Sequence, residues 1–312
     1  DSIPAELLAA RWIDLALLFG GETNRVHAHR MLEAIVEDVR DVRRGQKRSR
    51  ECKRIKLEES RCLLPTTLTS VDGCKRERIP ILACPSLLTF KLEYLDKQLP
   101  LVITGVVDQW PAYEKWKDLD YLHEVAGFRT VPIELGRNYL ESGWTQRLMT
   151  LESFLNDIIR SQKDVVGYLA QHDLFEQIKE LRDDLLIPDY TALTGDDEDD
   201  TLVINAWLGP GGTVTPLHFD KYNNIFAQVV GSKYIRLYHP KEADAMYPHD
   251  GTEYNTSRVD VDNVDNEKFP LFHDVPFTDC VLEAGQCLFI PKGYWHFVRS
   301  CETSFSVSFW WR

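Results

Sequence analysis

The chain has 312 residues, 44% of them hydrophobic and 27% charged, with a formal net charge of −13. That length holds one large domain plus an appendage, and the acidic balance argues against direct nucleic-acid binding, which depends on many phosphate-neutralising cations. No apolar run is long enough to span a bilayer, and the seven cysteines, an odd number without a Cys-x-x-Cys pair, read as free thiols in a reducing compartment.

Taken in chain order, residues 1–44 read as a helical segment. Ile3, Leu7, Leu8, Trp12, Leu15 and Leu18 follow a helical stripe that Gly20-Gly21 stops, and a second helix is expected over residues 24–43. The pair resembles an αα-hairpin, a packing or partner module. Residues 45–79 read as a basic, polar linker; the run RRGQKRSRECKRIK at 43–56, which leads into it, suits both a solvated tether and a nuclear import signal. The spacing of Cys52, Cys62, Cys74 and Cys84 is unlike that of zinc knuckles.

A catalytic domain is expected over residues 80–312. Its first half predicts helices at Leu87–Leu95, Leu119–Ala126, Leu148–Ser161 and Leu174–Leu185, strands at Leu101–Thr104, Thr130–Leu135 and Val165–Ala170, and an aromatic loop with Trp110, Tyr113 and Trp116. Thr150 is placed as a helix N-cap. The acidic GDDEDD at 195–200 reads as a solvated loop that can attract basic substrates. Beyond it the chain turns mainly β, with short strands expected at Thr201–Leu208, Thr213–His218, Asn224–Val230, Lys233–Tyr238, Cys280–Leu282, Gln286–Ile290, His296–Ser300 and Ser304–Trp310. The last alternates, with Phe305, Val307 and Phe309 on one face and Ser304, Ser306 and Ser308 on the other.

The stretch TVTPLHFD carries the chemistry. On an extended strand residues i and i+2 share a face, so His218 and Asp220 can reach one metal ion while Phe219 points the other way. A third ligand must come from a distant strand, and His296 in IPKGYWHFV is the candidate. Two histidines and one carboxylate form the facial ligand set of non-haem Fe(II) oxygenases. Alone, a His-x-Asp triplet is a weak signal, matched equally by a surface histidine beside a turn aspartate.

Several longer segments strengthen it: LPLVITGVVDQWP, INAWLGPGGTVTPLHFD, GSKYIRLYHP, LFIPKGYWHFV and SFSVSFWW. Together they resemble the Jumonji C family of Fe(II)- and 2-oxoglutarate-dependent oxygenases over roughly residues 80–312. The resemblance implies an α+β fold, mainly β with helices: a double-stranded β-helix, or cupin-like jelly-roll barrel, behind an N-terminal helical segment. It implies His218, Asp220 and His296 as metal ligands and catalytic centre, with Fe(II), 2-oxoglutarate and dioxygen as cofactors. It matches Lys233 to the cation for the far carboxylate of 2-oxoglutarate, Tyr168 and Thr215 to hydroxyl contacts, and Asn224, with Asn205 less firmly, to polar contacts. On the substrate side it matches Glu134, Trp144 and Trp207, with Gln171 beside them. The pattern departs from the family at Phe219 and at Lys221-Tyr222, which leaves the pocket rim, and so substrate choice, open.

The implied reaction is oxidation of a C–H bond, with 2-oxoglutarate converted to succinate and carbon dioxide. A carboxylate with indole faces suits a flat guanidinium, so the first expectation is hydroxylation of arginine side chains in proteins. Histone methyl-lysine demethylation is the enzymatic alternative, and a catalytically silent reader of basic peptides the non-enzymatic one. The expected partner is a basic protein or peptide, histone included; the expected location is the nucleus, with the cytoplasm second. Nickel, manganese and zinc suit the same ligands.

Overall fold

The structure is a computed structural model that describes residues 4–19, single and short stretches between 25 and 39, and residues 76–136, 138–140, 143–161, 166–193 and 201–312. The basic run, Cys52, Cys62 and Cys74, and GDDEDD lie outside the described residues. Among the described residues no helix is long and apolar enough to cross a membrane.

The strands, in chain order, are β1 Arg76–Arg78, β2 Ile81–Ala83, β3 Leu101–Thr104, β4 Thr130–Leu135, β5 Thr145–Thr150, β6 Gly167–His172, β7 Val203–Gly209, β8 Val214–Phe219, β9 Asn223–Val230, β10 Lys233–Tyr238, β11 Phe277–Leu282, β12 Cys287–Ile290, β13 Trp295–Ser300 and β14 Ser304–Trp311. They form two sheets, ordered β1-β11-β10-β13-β8 and β2-β3-β12-β9-β14-β7-β6-β4-β5. This is the expected cupin-like double-stranded β-helix. Residues Arg76–Arg78, inside the stretch read as linker, pair in parallel with Phe277–Asp279.

Period-2 alternation decides what each strand sends inward. Along β10, Ile235 and Leu237 enter the core between the sheets, and Lys233 shares their face; Tyr234 and Tyr238 join an outer cluster. Along β14, Phe305, Val307, Phe309 and Trp311 pack into the cluster behind the larger sheet. Ser306 and Ser308 lie on the opposite face, hydrogen-bonded to Gln228 and Trp207.

Several elements differ from the sequence reading. The stretch expected as one helix over Leu148–Ser161 begins as strand β5, and helix follows only from Leu151. Thr150 is its N-cap, accepting from the Ser153 amide at 3.2 Å. Helix Leu87–Phe90 continues as a π-helical turn over Lys91–Leu95. The aromatic loop contains helix Pro111–Lys115, and Trp110 and Trp116 are core residues.

The N-terminal helix, α1, spans Ala5–Phe19 and packs on β4. It buries Ala10, Ile13, Asp14 and Leu17 and leaves Trp12 66% exposed, so its inner face is not the expected Leu8/Trp12/Leu15 stripe. An ion pair sets that orientation. Asp14 is fully buried and takes two hydrogen bonds from Arg129, one from the Thr130 amide and one from Gln177. A carboxylate out of water needs such saturation.

Candidate metal centre and cleft

His218 and His296 are cross-strand neighbours in the β8–β13 ladder. Their rings lie 4.1 Å apart between centroids. Asp220, just past the end of β8, places Oδ1 3.9 Å from Nε2 of His218 and Oδ2 3.6 Å from Nε2 of His296. One ligand atom from each of the three side chains falls within 4.8 Å of the others, a separation one ion can bridge. Phe219 turns away, edge-on against Trp295 at 4.9 Å.

The tautomers are set by the backbone. Nδ1 of His218 lies 2.8 Å from the Pro216 carbonyl, and Nδ1 of His296 lies 3.0 Å from the Tyr294 carbonyl. Each Nδ1–H donates there, which leaves both Nε2 lone pairs for a metal. Burial, then the neighbouring His218, pushes His296 down to about 4, so its ring is neutral at ordinary pH, as ligation requires.

A bulge gives β8 its inward set. His218 faces His296 but Thr215 faces Val298, so Pro216 and Leu217 of β8 oppose the single residue Phe297 of β13. The extra residue falls at Pro216-Leu217, where proline has no N–H to give the ladder. Thr215 and His218 therefore both point inward despite odd spacing.

Beside the triad, Lys233 is completely buried, and its Nζ donates to the Tyr168 hydroxyl at 3.0 Å. Its ammonium sits 5.3 Å from the ring centroids of Tyr168 and Phe226. Burial alone pulls it down from 10.5 to about 7. Tyr168 in turn pairs with Thr215, and burial raises its hydroxyl well above the ordinary value. Oδ1 of Asn224 and Nε1 of Trp310, Cα partners on β9 and β14, are buried without hydrogen-bond partners among the described residues. A cation without a carboxylate, a free acceptor and a free donor thus surround the space next to the ligands. A dicarboxylate that chelates a metal at one end and meets an ammonium at the other fits this arrangement.

The triad opens into a cleft of about 420 Å³. Glu134, Gln171 and Trp207 line it, and Trp144 is not among its lining residues. Trp144 stands behind Glu134, with Nε1 3.3 Å from its carboxylate. Burial raises the Glu134 carboxyl, and the Trp144 hydrogen bond opposes that. Asn205 faces a second cleft. Residues not assigned from sequence complete the walls. Tyr222 stacks on Trp310 at 6.1 Å and 7°, and Arg312 lies over Tyr222 at 5.7 Å. Tyr139 reaches across to pair with Thr256. A stack between remote strands has no local sequence signal.

The fold and site define a cupin-like barrel with a two-histidine, one-carboxylate centre. The model of the cupin-like domain matches residues 87–312, and the chain belongs to that family, within the Jumonji C group of Fe(II)/2-oxoglutarate oxygenases. Its sequence is 45% identical over 287 residues to lysine-specific demethylase 8 of Xenopus tropicalis, covering 91% of this chain and 63% of that protein. It is 51% identical to lysine-specific demethylase 8 of Danio rerio (75% of this chain, 58% of that one) and 50% identical to lysine-specific demethylase JMJ30 of Arabidopsis thaliana (72% and 53%). The chain spans between about half and two thirds of the length of these relatives.

Proposed function

We propose that the chain oxidises a cationic side chain of a protein substrate, using Fe(II), 2-oxoglutarate and dioxygen. The observation that carries the reading is a buried ammonium, bonded to the Tyr168 hydroxyl and facing no carboxylate among the described residues, beside three converging metal ligands. His218, Asp220 and His296 would hold the iron. Lys233 would meet the far carboxylate of 2-oxoglutarate, with Tyr168, Thr215 and Asn224 around it. The bound iron and cosubstrate supply the oxidising chemistry; the barrel orients the reactants and keeps bulk water out.

Glu134 gives the open cleft a carboxylate for a substrate cation. The names of the relatives favour an N-methyl-lysine, whose oxidised methyl group would leave as formaldehyde. A second reading, arginine hydroxylation, rests on Glu134 and its Trp144 partner: a carboxylate held edge-on by an indole N–H keeps an oxygen free for a guanidinium. Mass spectrometry of paired peptides separates them. Loss of a methyl group with formaldehyde supports demethylation, gain of one oxygen on arginine supports hydroxylation, and no succinate with either peptide overturns the proposal. Nuclear placement rests on the basic run at 43–56; a reporter fused to that run and remaining in the cytosol would refute it.

A further inference from the structure

A second cleft, of about 220 Å³, lies where the N-terminal helices meet the barrel. Gln171 lines both it and the metal cleft. The two are consecutive along one sheet face. On β7, Trp207 faces the metal cleft and Asn205, two residues away, faces the second one. Residues i and i+2 of a strand share a face about 7 Å apart. An extended peptide crossing this face therefore offers side chains to the two clefts from positions two or three residues apart.

The second cleft holds unused polar groups. Asn205 is 5% exposed and lines it, and its side chain makes no hydrogen bond to any described residue. An amide in that state has both donors and its acceptor free for a ligand. Gln171 lies between the clefts in the left-handed region at φ 48°, uncommon for a non-glycine residue. The wall from the α-helical turn after β6 adds Asp173 and Glu176. Asp173 meets Arg25 only at 3.9 Å, the outer limit of an ion pair. Burial and the neighbouring Glu176 both push the Asp173 carboxyl up, so a further cation between the two acids would relieve it.

The geometry points to a second substrate subsite, formed jointly by the N-terminal helices and β6–β7, that takes a lysine or arginine two or three residues from the residue oxidised. Asn205 and Gln171 hydrogen-bond the peptide there, and Asp173 and Glu176 receive the flanking cation. This rests on the protein-substrate reading above and deepens it, giving the N-terminal helices a part in substrate choice.

The test uses the full chain with Fe(II) and 2-oxoglutarate under anaerobic conditions, so that peptides bind without turnover. Fluorescence anisotropy compares peptides centred on dimethyl-lysine or arginine in an alanine background, with a lysine or an alanine two or three positions away. The lysine-flanked peptides are expected to bind about fivefold more tightly, the size of a half-exposed ion pair. Glu176→Gln, at an exposed position, is expected to remove that preference, and Asn205→Ala to weaken both peptide sets. Equal binding of lysine- and alanine-flanked peptides, or a preference that survives Glu176→Gln, overturns the subsite while leaving the oxygenase reading standing. If no peptide of either kind binds, the protein-substrate reading falls and the subsite with it.

Discussion

Lys233 should make the cofactor-free protein less stable than it would be with a neutral residue in its place. Its ammonium is fully buried, with one hydroxyl partner and no carboxylate. Moving a lysine from 10.5 to about 7 corresponds to about 5 kcal/mol, at ~1.4 kcal/mol per tenfold change in proton affinity. Local relaxation and lost contacts reduce this, so Lys233→Met should stabilise the cofactor-free fold by about 2–4 kcal/mol near pH 6.5. For a domain of this size that is a rise in Tm of roughly 5–15 °C. The pH dependence has a definite sign. The folded state binds this proton more weakly than the unfolded state, so the penalty is complete below about pH 7, fades as pH rises, and is gone above roughly 10.5, the unfolded value. The same variant should lose the rise in Tm that 2-oxoglutarate with Mn(II) gives the wild type, about 2.7 kcal/mol at a hundredfold excess over Kd. Differential scanning fluorimetry from pH 6 to 10 measures both effects. A variant that melts at or below the wild type at pH 6.5, or a gap that does not close with rising pH, would refute the reasoning.

Above pH 7 the wild type should take up a proton as 2-oxoglutarate binds, because the dianion restores the ammonium; calorimetry in two buffers of different ionisation enthalpy reads this as a buffer-dependent heat. Asp220→Ala should weaken Mn(II) binding by more than about 100-fold in an EPR titration, since losing even an outer hydrogen-bond partner of a ligand costs 10–100-fold. Asp184→Asn should cost about 2–4 kcal/mol in urea unfolding, because its buried carboxylate receives Lys115, Trp116 and Tyr121 together. Gly231→Ala, at φ 71° in the β9–β10 turn with its added Cβ against the Thr303 carbonyl oxygen, should destabilise the fold by about 2–3 kcal/mol, read as a lower midpoint in the same assay.

Where alternation and burial agree, the sequence was readable. β10 occupies the residues expected for it, Lys233–Tyr238, because Tyr234, Arg236 and Tyr238 alternate with Ile235 and Leu237 even though all six residues are buried. The metal ligands were readable through the i, i+2 pair and a second histidine that the β8–β13 register brings opposite the first. The bulge at Pro216-Leu217 was not, since an extra residue shows only against its partner strand. β5 is hidden in the sequence because Leu148 and Met149 extend the apolar pattern of the helix that Thr150 caps. The inner face of α1 departs from its hydropathy stripe for an electrostatic reason: hydropathy marks Trp12 and passes over Asp14, while the buried Arg129 selects Asp14. The Tyr222–Trp310 wall joins residues 88 positions apart, which no local pattern links.

The Asp14–Arg129 contact bears on how the protein can be divided. A version that began at the first barrel strand would keep Arg129 but lose the carboxylate that neutralises it, leaving its guanidinium with the Gln177 carbonyl alone. Removing α1 also takes away the carboxylate that ties Arg129, the Thr130 amide and Gln177 together, and the strand that follows Arg129 carries Glu134. Helix α1 is therefore a keystone of the substrate wall, and trimming it to isolate the barrel would loosen the cleft it was meant to display.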